Sequence, residues 1–442
     1  MTKPTRERNG VPIKTLHITN YYHASSGGIR TFYQALLEAA GRHRREMRLV
    51  VPGLTNSVEE VGAFGRIYTI AAPRSLLFDS RYRLLLPHLY ALPYRSRLHD
   101  ILRQEQPDLI EVCDKYTLCF LPSILRRGWI PGVTPPVVVA LSCERMDDNI
   151  AAFVSPGSFG NRWAAWYMRR IYAPRFDGHI SNSEYTAQEL WDALGPSPGI
   201  PIHVCPMGVE TKSLRPERRT APARRSLLAL LPRTMPSAQS VRLLLYVGRI
   251  SPEKNLKLLL EMMEQLRGDS GSDYRLLIAG SGPLEEWLAE TADRRVPGCV
   301  HLFGQIADRE RLAEIYANCD ALIHPNPREP FGIAPLEAMA SGLPVVAPRF
   351  GGVLSYANEH NSWLAEPSGD SFADAVRQVF ATENARCAKV DAALRTAEEF
   401  SWPRVTARFF QLYDNLFVQL GGASGLYSLQ TPGPAQTDLV IT

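Results

Sequence analysis

The chain lacks the features that would embed it in a membrane or mark it for an oxidising compartment. No apolar run approaches the roughly 18 residues that a membrane span needs. The polar opening MTKPTRERNG carries no apolar leader core, so no signal peptide is expected. Cysteine is sparse. The seven residues at 113, 119, 143, 205, 299, 319 and 387 are odd in number and never form a CxxC or Cys/His spacing, which excludes a disulfide framework and a cysteine metal site. Reduced thiols in the cytoplasm are the expectation, with contact at the inner face of the membrane as the peripheral alternative. Neither a metal ion nor nucleic acid is an expected partner.

What is present is ordinary globular material. Of 442 residues, 45% are hydrophobic and 21% charged, so disorder is not the main theme. At about 150 residues per domain the length predicts two or three domains. The net charge of +4 hides an asymmetry. Residues 1–215 carry 26 Lys+Arg against 19 Asp+Glu, whereas residues 216–442 carry 23 against 26. A basic front half suits an anionic membrane surface or an acidic substrate, or is simply a solvated arginine-rich face.

Strand-like runs at 14–19, 46–51, 66–71, 108–112, 137–141, 178–182 and 201–205 alternate with helical stretches, the first from Ile29 to Ala40 after Gly27 and Gly28. Such alternation predicts a doubly wound, mostly parallel sheet covered on both faces. Residues 72–103 interrupt it with six arginines and two acids. Leu84, Leu85, Leu86, Leu89 and Leu92 would there form an amphipathic helix, lying on anionic lipid or packed on its own domain. The Arg/Pro/Ala/Ser-rich stretch 215–240 reads as a linker between a first domain of 1–214 and a second of 241–400. In the second, strands at 241–247, 274–279, 300–304 and 320–324 predict another doubly wound sheet, with Asn255 as an N-cap. A final amphipathic helix over 401–420 and a disordered tail at 421–442 complete the expectation.

Strand-to-helix loops of a doubly wound sheet emerge at one edge, which places Arg249, Lys254, Gly280, Gly282, Gly304 and Glu329 along one crevice. The stretch EPFGIAPLEAMASGLPVVAPRFGG, residues 329–352, is the most informative there. Glu329 precedes a short helix opened by Pro335 and closed by Gly342, and Glu337 lies in its first turn or two among alanine, leucine and methionine. Helix N-termini attract anions, so two acids beside one call for a ligand that brings hydroxyls as well as phosphates. Arg249 supplies a bidentate fork and Lys254 a compact charge for a diphosphate. The set points to a sugar nucleotide.

The combination of GRxxxxKN from Gly248, the AGSGP loop, ExFGxxxxEAMAxGxPVVA and the following Gly-Gly resembles the EX7E signature of retaining glycosyltransferases of family four. The resemblance covers about 14–417 and implies the GT-B architecture of two facing Rossmann-like domains, with the last helix crossing back onto the first. It implies that Arg249 and Lys254 neutralise the donor diphosphate and the departing nucleoside diphosphate. Glu337 would accept from the ribose hydroxyls and Glu329 would contact the donor sugar. Gly248, Gly280 and Gly282 would belong to the donor site. The amides around Phe331, Gly332 and Ile333 would hold sugar or phosphate oxygens, while Gly28 faces the diphosphate from the first domain.

The same resemblance implies transfer of a hexose from GDP-mannose or a UDP-hexose to a lipid or glycan acceptor. The anomeric configuration would be retained, without a divalent metal or other cofactor. The segment 108–147 is similar to the α-mannosyltransferase branch, where a histidine usually stands at the position of Cys143. Asp114, Glu144 and Arg145 beside it are expected acceptor or sugar contacts. A sugar-nucleotide-binding pseudoenzyme, or an epimerase- or phosphorylase-like enzyme of the same architecture, is the alternative.

Overall fold

The computed structural model describes residues 12–23, 27–75, 82–91, 96–153, 158–195, 199–230, 240–269 and 272–421. The polar opening and the tail beyond Gly421 lie outside the described residues.

Two sheets organise the chain. The first contains β1 (Thr15–Thr19), β2 (Met47–Gly53), β3 (Ser57–Val61), β4 (Gly65–Ala71), β5 (Leu109–Cys113), β6 (Val137–Ser142), β7 (Gly178–Ser181) and β8 (Ile202–Val204). Their order is β3-β4-β2-β1-β5-β6-β7-β8, parallel throughout except for the β3–β4 pair. The inner strands read as near-continuous apolar runs because helices cover both faces, and β1, β5, β6 and β7 are buried along their whole length. The second sheet contains β9 (Ser240–Val247), β10 (Ser272–Ala279), β11 (Val300–Gly304), β12 (Ala321–Ile323), β13 (Val345–Pro348) and β14 (Trp363–Ala365). Its order is β11-β10-β9-β12-β13-β14, and every pair is parallel. Both domains are therefore doubly wound.

Each sheet reverses its winding at one place, and a crevice opens there beyond the strand ends. In the first sheet the reversal lies between β1 and β5, and in the second between β9 and β12. The loops after β9 and β12 carry Arg249, Lys254 and Glu329, which is why residues about 80 positions apart in sequence meet.

The helix Trp402–Gly421 returns to the first domain, packing on the helix Gly28–Ala40 and against β6. Phe409, Phe410, Tyr413 and Leu416 are buried there with Phe32, Leu36 and Val139. Tyr413 also donates to Glu111 Oε2 at 2.5 Å, while Tyr33 (2.9 Å) and His17 Nδ1 (3.0 Å) meet Oε1. The two crossings between the domains lie side by side: Val209 N donates to Phe400 O at 2.9 Å and Trp402 N to Val209 O at 3.1 Å.

Two stretches differ from a simple reading of their composition. Within 215–240, the helix Ala221–Ala229 packs on the helix Arg309–Asn318. Arg219 and Arg224 reach the buried Asp320 at 2.9 and 2.8 Å, so this part is docked on the second domain. The helix expected over Leu84–Leu92 is absent from its described part. Leu84–Leu86 belong to no helix or strand, only a 3-10 turn forms at Pro87–Leu89, and Leu92 lies outside the described residues. Pro87 has no amide hydrogen to continue a helix, and Leu85 is drawn into the core instead, its amide donating to Asn20 Oδ1 at 2.8 Å.

Candidate functional site

The crevice at the second reversal point becomes a cleft of about 750 Å3 walled by both domains. The 3-10 turn Pro252–Lys254 brings Lys254 to its rim, and Asn255 then enters the left-handed region (φ +53°) to start the helix Leu256–Leu266. Asn255 occupies the N-cap position without capping through its side chain, which donates instead to Pro325 O at 3.0 Å. That bond ties the loop after β9 to the loop after β12 across the reversal.

Lys254 Nζ meets Glu329 Oε2 at 2.7 Å, and Asn326 Nδ2 donates to the same oxygen at 3.1 Å. His324 Nε2 stands 3.8 Å away. Burial alone would raise the Glu329 carboxyl, but Lys254 and His324 outweigh it and hold it at about 2. Burial lowers the His324 imidazole to about 4. Glu329 is thus an anion at neutral pH, and Lys254 lies where a single ammonium reaches both the carboxylate and the cleft.

Both groups bind fewer protons folded than unfolded, Glu329 between 4.5 and about 2 and His324 between 6.5 and about 4, so stability rises with pH through both windows. The contribution of Glu329 is complete above 4.5 and is lost as pH falls toward 2. The buried neutral His324 begins to destabilise as pH falls below 6.5. Urea midpoints measured from pH 7 down to pH 4 should fall in the parent protein and fall less steeply in His324→Asn; identical slopes would contradict this assignment.

Glu337 sits one turn inside the helix Ile333–Ala340. Tyr316 donates to its Oε2 at 2.8 Å, and Arg309 Nη1 stands 3.8 Å from Oε1. Burial raises its carboxyl against the lowering effects of Tyr316 and Arg309. Gly332, at φ +82°, turns the chain into this helix, whose open N-terminus faces the cleft through Phe331, Gly332 and Ile333. Opposite lies the N-terminus of the helix Gly28–Ala40. A side-chain carbon on Gly28 would come within 2.7 Å of Ile333 Cδ1, so the two helix ends meet closely enough that the Ile333 side chain would have to shift to admit one. Two bonds close the domains over the cleft: Ser183 Oγ donates to Pro330 O at 2.5 Å and Arg309 Nη2 to Thr31 Oγ1 at 2.9 Å.

Arg249, Lys254, Gly248, Gly28, Glu329, Phe331, Gly332, Ile333 and Glu337 therefore converge on one cleft. Gly280 and Gly282 stand behind its wall. Gly248 N donates to Ala279 O and Ile250 N to Ser281 O, both at 3.0 Å, and these glycines let the two loops lie that close. Gly304 likewise stays outside the cleft lining.

At the reversal point of the first sheet is a recess of about 210 Å3 whose lining includes Asp114, Cys143 and Glu144. A third recess, of about 610 Å3, is lined by Glu144, Arg145, Asp148 and Asn149 on one side and Glu253, Arg328 and Glu329 on the other. Cys143 lines all three spaces. Asp114 is occupied internally, accepting from the amides of Tyr116 (3.0 Å), Thr117 (2.6 Å) and Leu118 (2.8 Å) and from Asn20 Nδ2 (3.0 Å). Arg145 is held by Asp147 (2.5 Å) and by Tyr185 O (2.9 Å). Glu144 keeps its polar face toward the recesses while Tyr21 and Asn149 donate to it at 3.0 and 2.9 Å.

Arg309, Tyr316, His324 and Asn326 were not anticipated. The last two begin the loop after β12, where the run HPNPRE already sits between a strand and Glu329. Arg309 and Tyr316 meet Glu337 only through the packing of two helices, which no local spacing reveals. Among the described residues no group of three or more His, Cys, Asp or Glu side chains could hold a metal ion, and no helix is long and apolar enough to cross a membrane.

Comparison with known proteins agrees with this geometry. Residues 26–213 match the family model described as Glycosyltransferase Family 4, and residues 233–395 match Glycosyl transferases group 1. The chain is 28% identical over 399 residues to a GDP-mannose-dependent alpha-(1-6)-phosphatidylinositol dimannoside mannosyltransferase of Mycobacterium tuberculosis, covering 89% of this chain and 94% of that protein. It is 25% identical over 352 residues to a GDP-mannose-dependent alpha-mannosyltransferase of Corynebacterium glutamicum, covering 79% and 75% of the two chains. The sucrose-phosphate synthase structure from Thermosynechococcus elongatus superposes with a TM-score of 0.68 at 20% identity, covering 92% of this chain and all of that one. With both halves of the chain matched and both sheets wound as that fold requires, the protein belongs to the family 4, group 1 glycosyltransferases of GT-B architecture and is an enzyme of that class.

Proposed function

We propose that the protein transfers a mannosyl residue from GDP-mannose, with retention of the α configuration, to a hydroxyl of a lipid-borne or glycan acceptor. The observation that carries this reading is the meeting of Arg249 and Lys254 with Glu329 and Glu337 in one cleft between two helix N-termini. Cations and amides suit a diphosphate, and carboxylates suit the hydroxyls of ribose and hexose. The choice of donor rests on the two mannosyltransferase relatives, the first of which aligns over nearly its full length.

On this reading the sugar C1–O bond to the diphosphate breaks as the acceptor oxygen bonds to C1 from the same face. The acceptor proton passes to the departing phosphate oxygen. Arg249 and Lys254 meet the charge that develops on that oxygen, in the place a divalent cation would otherwise fill. Glu329 orients the hexose and Glu337 the ribose. No side-chain nucleophile is required.

Thermal shift tests the donor. GDP at a hundredfold its dissociation constant adds about 2.7 kcal/mol of stability, so GDP and GDP-mannose should raise the melting temperature where UDP and ADP leave it unchanged. A larger shift with UDP would overturn the donor assignment. Turnover of GDP-mannose should persist in EDTA, and the anomeric signal of the product, read by NMR, should be α; a β product excludes retention.

A further inference from the structure

We infer that one face of the helix Ser158–Tyr167 and the π-helical turn Met168–Tyr172 that continues it docks on an anionic phospholipid surface. Trp163 and Trp166 are 45% and 52% exposed. Arg162, Arg169 and Arg170 are exposed as well. These five residues follow one another by steps of one, three, three and one, which puts them on one side of the helix, whereas Ala164, Tyr167 and Met168 on the other side are buried in the domain core.

The composition of this face is that of an interfacial helix rather than of an ordinary solvated surface. From Asn149 to Phe176 there is no aspartate or glutamate, against four arginines. Among the described residues Arg162, Arg169 and Arg170 form no ion pair. Tryptophan prefers the headgroup level of a bilayer, and unpaired arginines beside it meet lipid phosphates. Trp163 is also held in place: its ring stacks on Tyr167 at 5.4 Å, and the Tyr167 hydroxyl donates to Lys115 O at 2.8 Å. Trp163 is thus already ordered before contact.

Its position relates it to the cleft. The helix Met146–Phe153 packs on one side against Ser158–Tyr167 and on the other against the Pro252–Lys254 turn. Asp148 and Asn149 of that intervening helix line the 610 Å3 recess beside Glu329. A bilayer held at Trp163 and Trp166 is therefore one helix away from the space that adjoins the reacting groups. Partition onto lipid is read without turnover, so this inference stands or falls independently of the donor and acceptor assigned above.

Flotation of the full chain with phosphatidylcholine vesicles, with and without admixed phosphatidylglycerol, tests it. Binding should require the anionic lipid and weaken as salt rises. Each arginine at such a surface contributes roughly fivefold to partition, so Arg162→Gln/Arg169→Gln/Arg170→Gln together should lower it on the order of a hundredfold. Trp163→Ala/Trp166→Ala should also weaken binding and remove the blue shift of tryptophan emission, whereas Trp287→Ala, an exposed tryptophan of the second domain, should change neither. Equal binding to neutral vesicles, or anionic binding that ignores both sets of substitutions, overturns the inference. So does absence of vesicle binding by a protein whose retention on immobilised heparin depends on the three arginines, which would assign the face to an acidic macromolecule.

Discussion

Lys254→Ala is expected to lower kcat/KM by about two to three orders of magnitude, the range seen when one preorganised group facing a developing oxyanion is removed. The substitution does two things at once. It takes away the ammonium that meets charge on the departing diphosphate. It also leaves Glu329, part-buried at the cleft, with Asn326 as its remaining hydrogen-bond donor, and removing one partner of such a pair destabilises the fold. The two effects separate in Lys254→Ala/Glu329→Gln, whose neutral amide no longer needs the cation. Thermal stability should largely return in that double variant, and turnover should not. Recovery of both would reduce Lys254 to a structural partner of Glu329, and near-normal kcat/KM in the single variant would remove its catalytic role altogether.

Gly280→Ala should be among the most destructive small substitutions in the second domain. The residue sits at φ +155°, and an added Cβ would stand 1.8 Å from Gly248 O and 2.9 Å from Gly248 C. Both are backbone atoms, so no side chain can swing aside, and the loop that carries Arg249 and Lys254 must move. The expected loss exceeds about 4 kcal/mol, the exceptional end of single-substitution effects, and reads as failure to accumulate soluble protein or as a deep fall in melting temperature. Gly304→Ala is the comparison. It also has a left-handed backbone (φ +69°) but nothing within 4 Å of the added carbon, so it should cost only about 1–2 kcal/mol. Equal effects at the two positions would show that backbone conformation, and not the close approach, decides.

The contrast between Gly280 and Gly28 shows what a sequence can carry. Both glycines stand after a strand in loops that open a ligand crevice, and both were assigned to the donor site on that pattern. Gly28 does line the cleft, whereas Gly280 serves the ladder between two loops behind it. The pattern marks where the backbone must come close to something, but it does not say whether that something is a ligand or another loop. Strand positions were legible for a related reason: VVVALS and RLLLYV need burial on both faces. The edge strand Ser57–Val61, with two glutamates and an exposed surface, and the three-residue strand Trp363–Ala365 give no such signal.

The Leu84–Leu92 segment shows the converse failure. Leucines at near-helical spacing suggested a helix, and Pro87 together with the pull of the core on Leu85 outweighed that spacing. The aromatic and basic face that does exist lies some 80 residues later, where the tryptophans are too few to stand out by composition. Arg309 was invisible because its partners, Thr31 and Glu337, belong to other elements, one of them in the other domain.

The crossover helix has a consequence for how the protein is made. Glu111 lies wholly buried on β5, and the donor to its second oxygen, Tyr413, comes 302 residues later in the chain. The helix that supplies Tyr413 also covers Phe32 and Leu36. A ribosome that has synthesised the first domain has therefore not yet released the means to finish it. Until translation passes residue 421 the nascent first half keeps an apolar floor open and a carboxylate short of one of its partners. The core of the first domain is thus completed only by residues made after the whole second domain, and the apolar floor left open until then is the surface that a nascent-chain chaperone would hold.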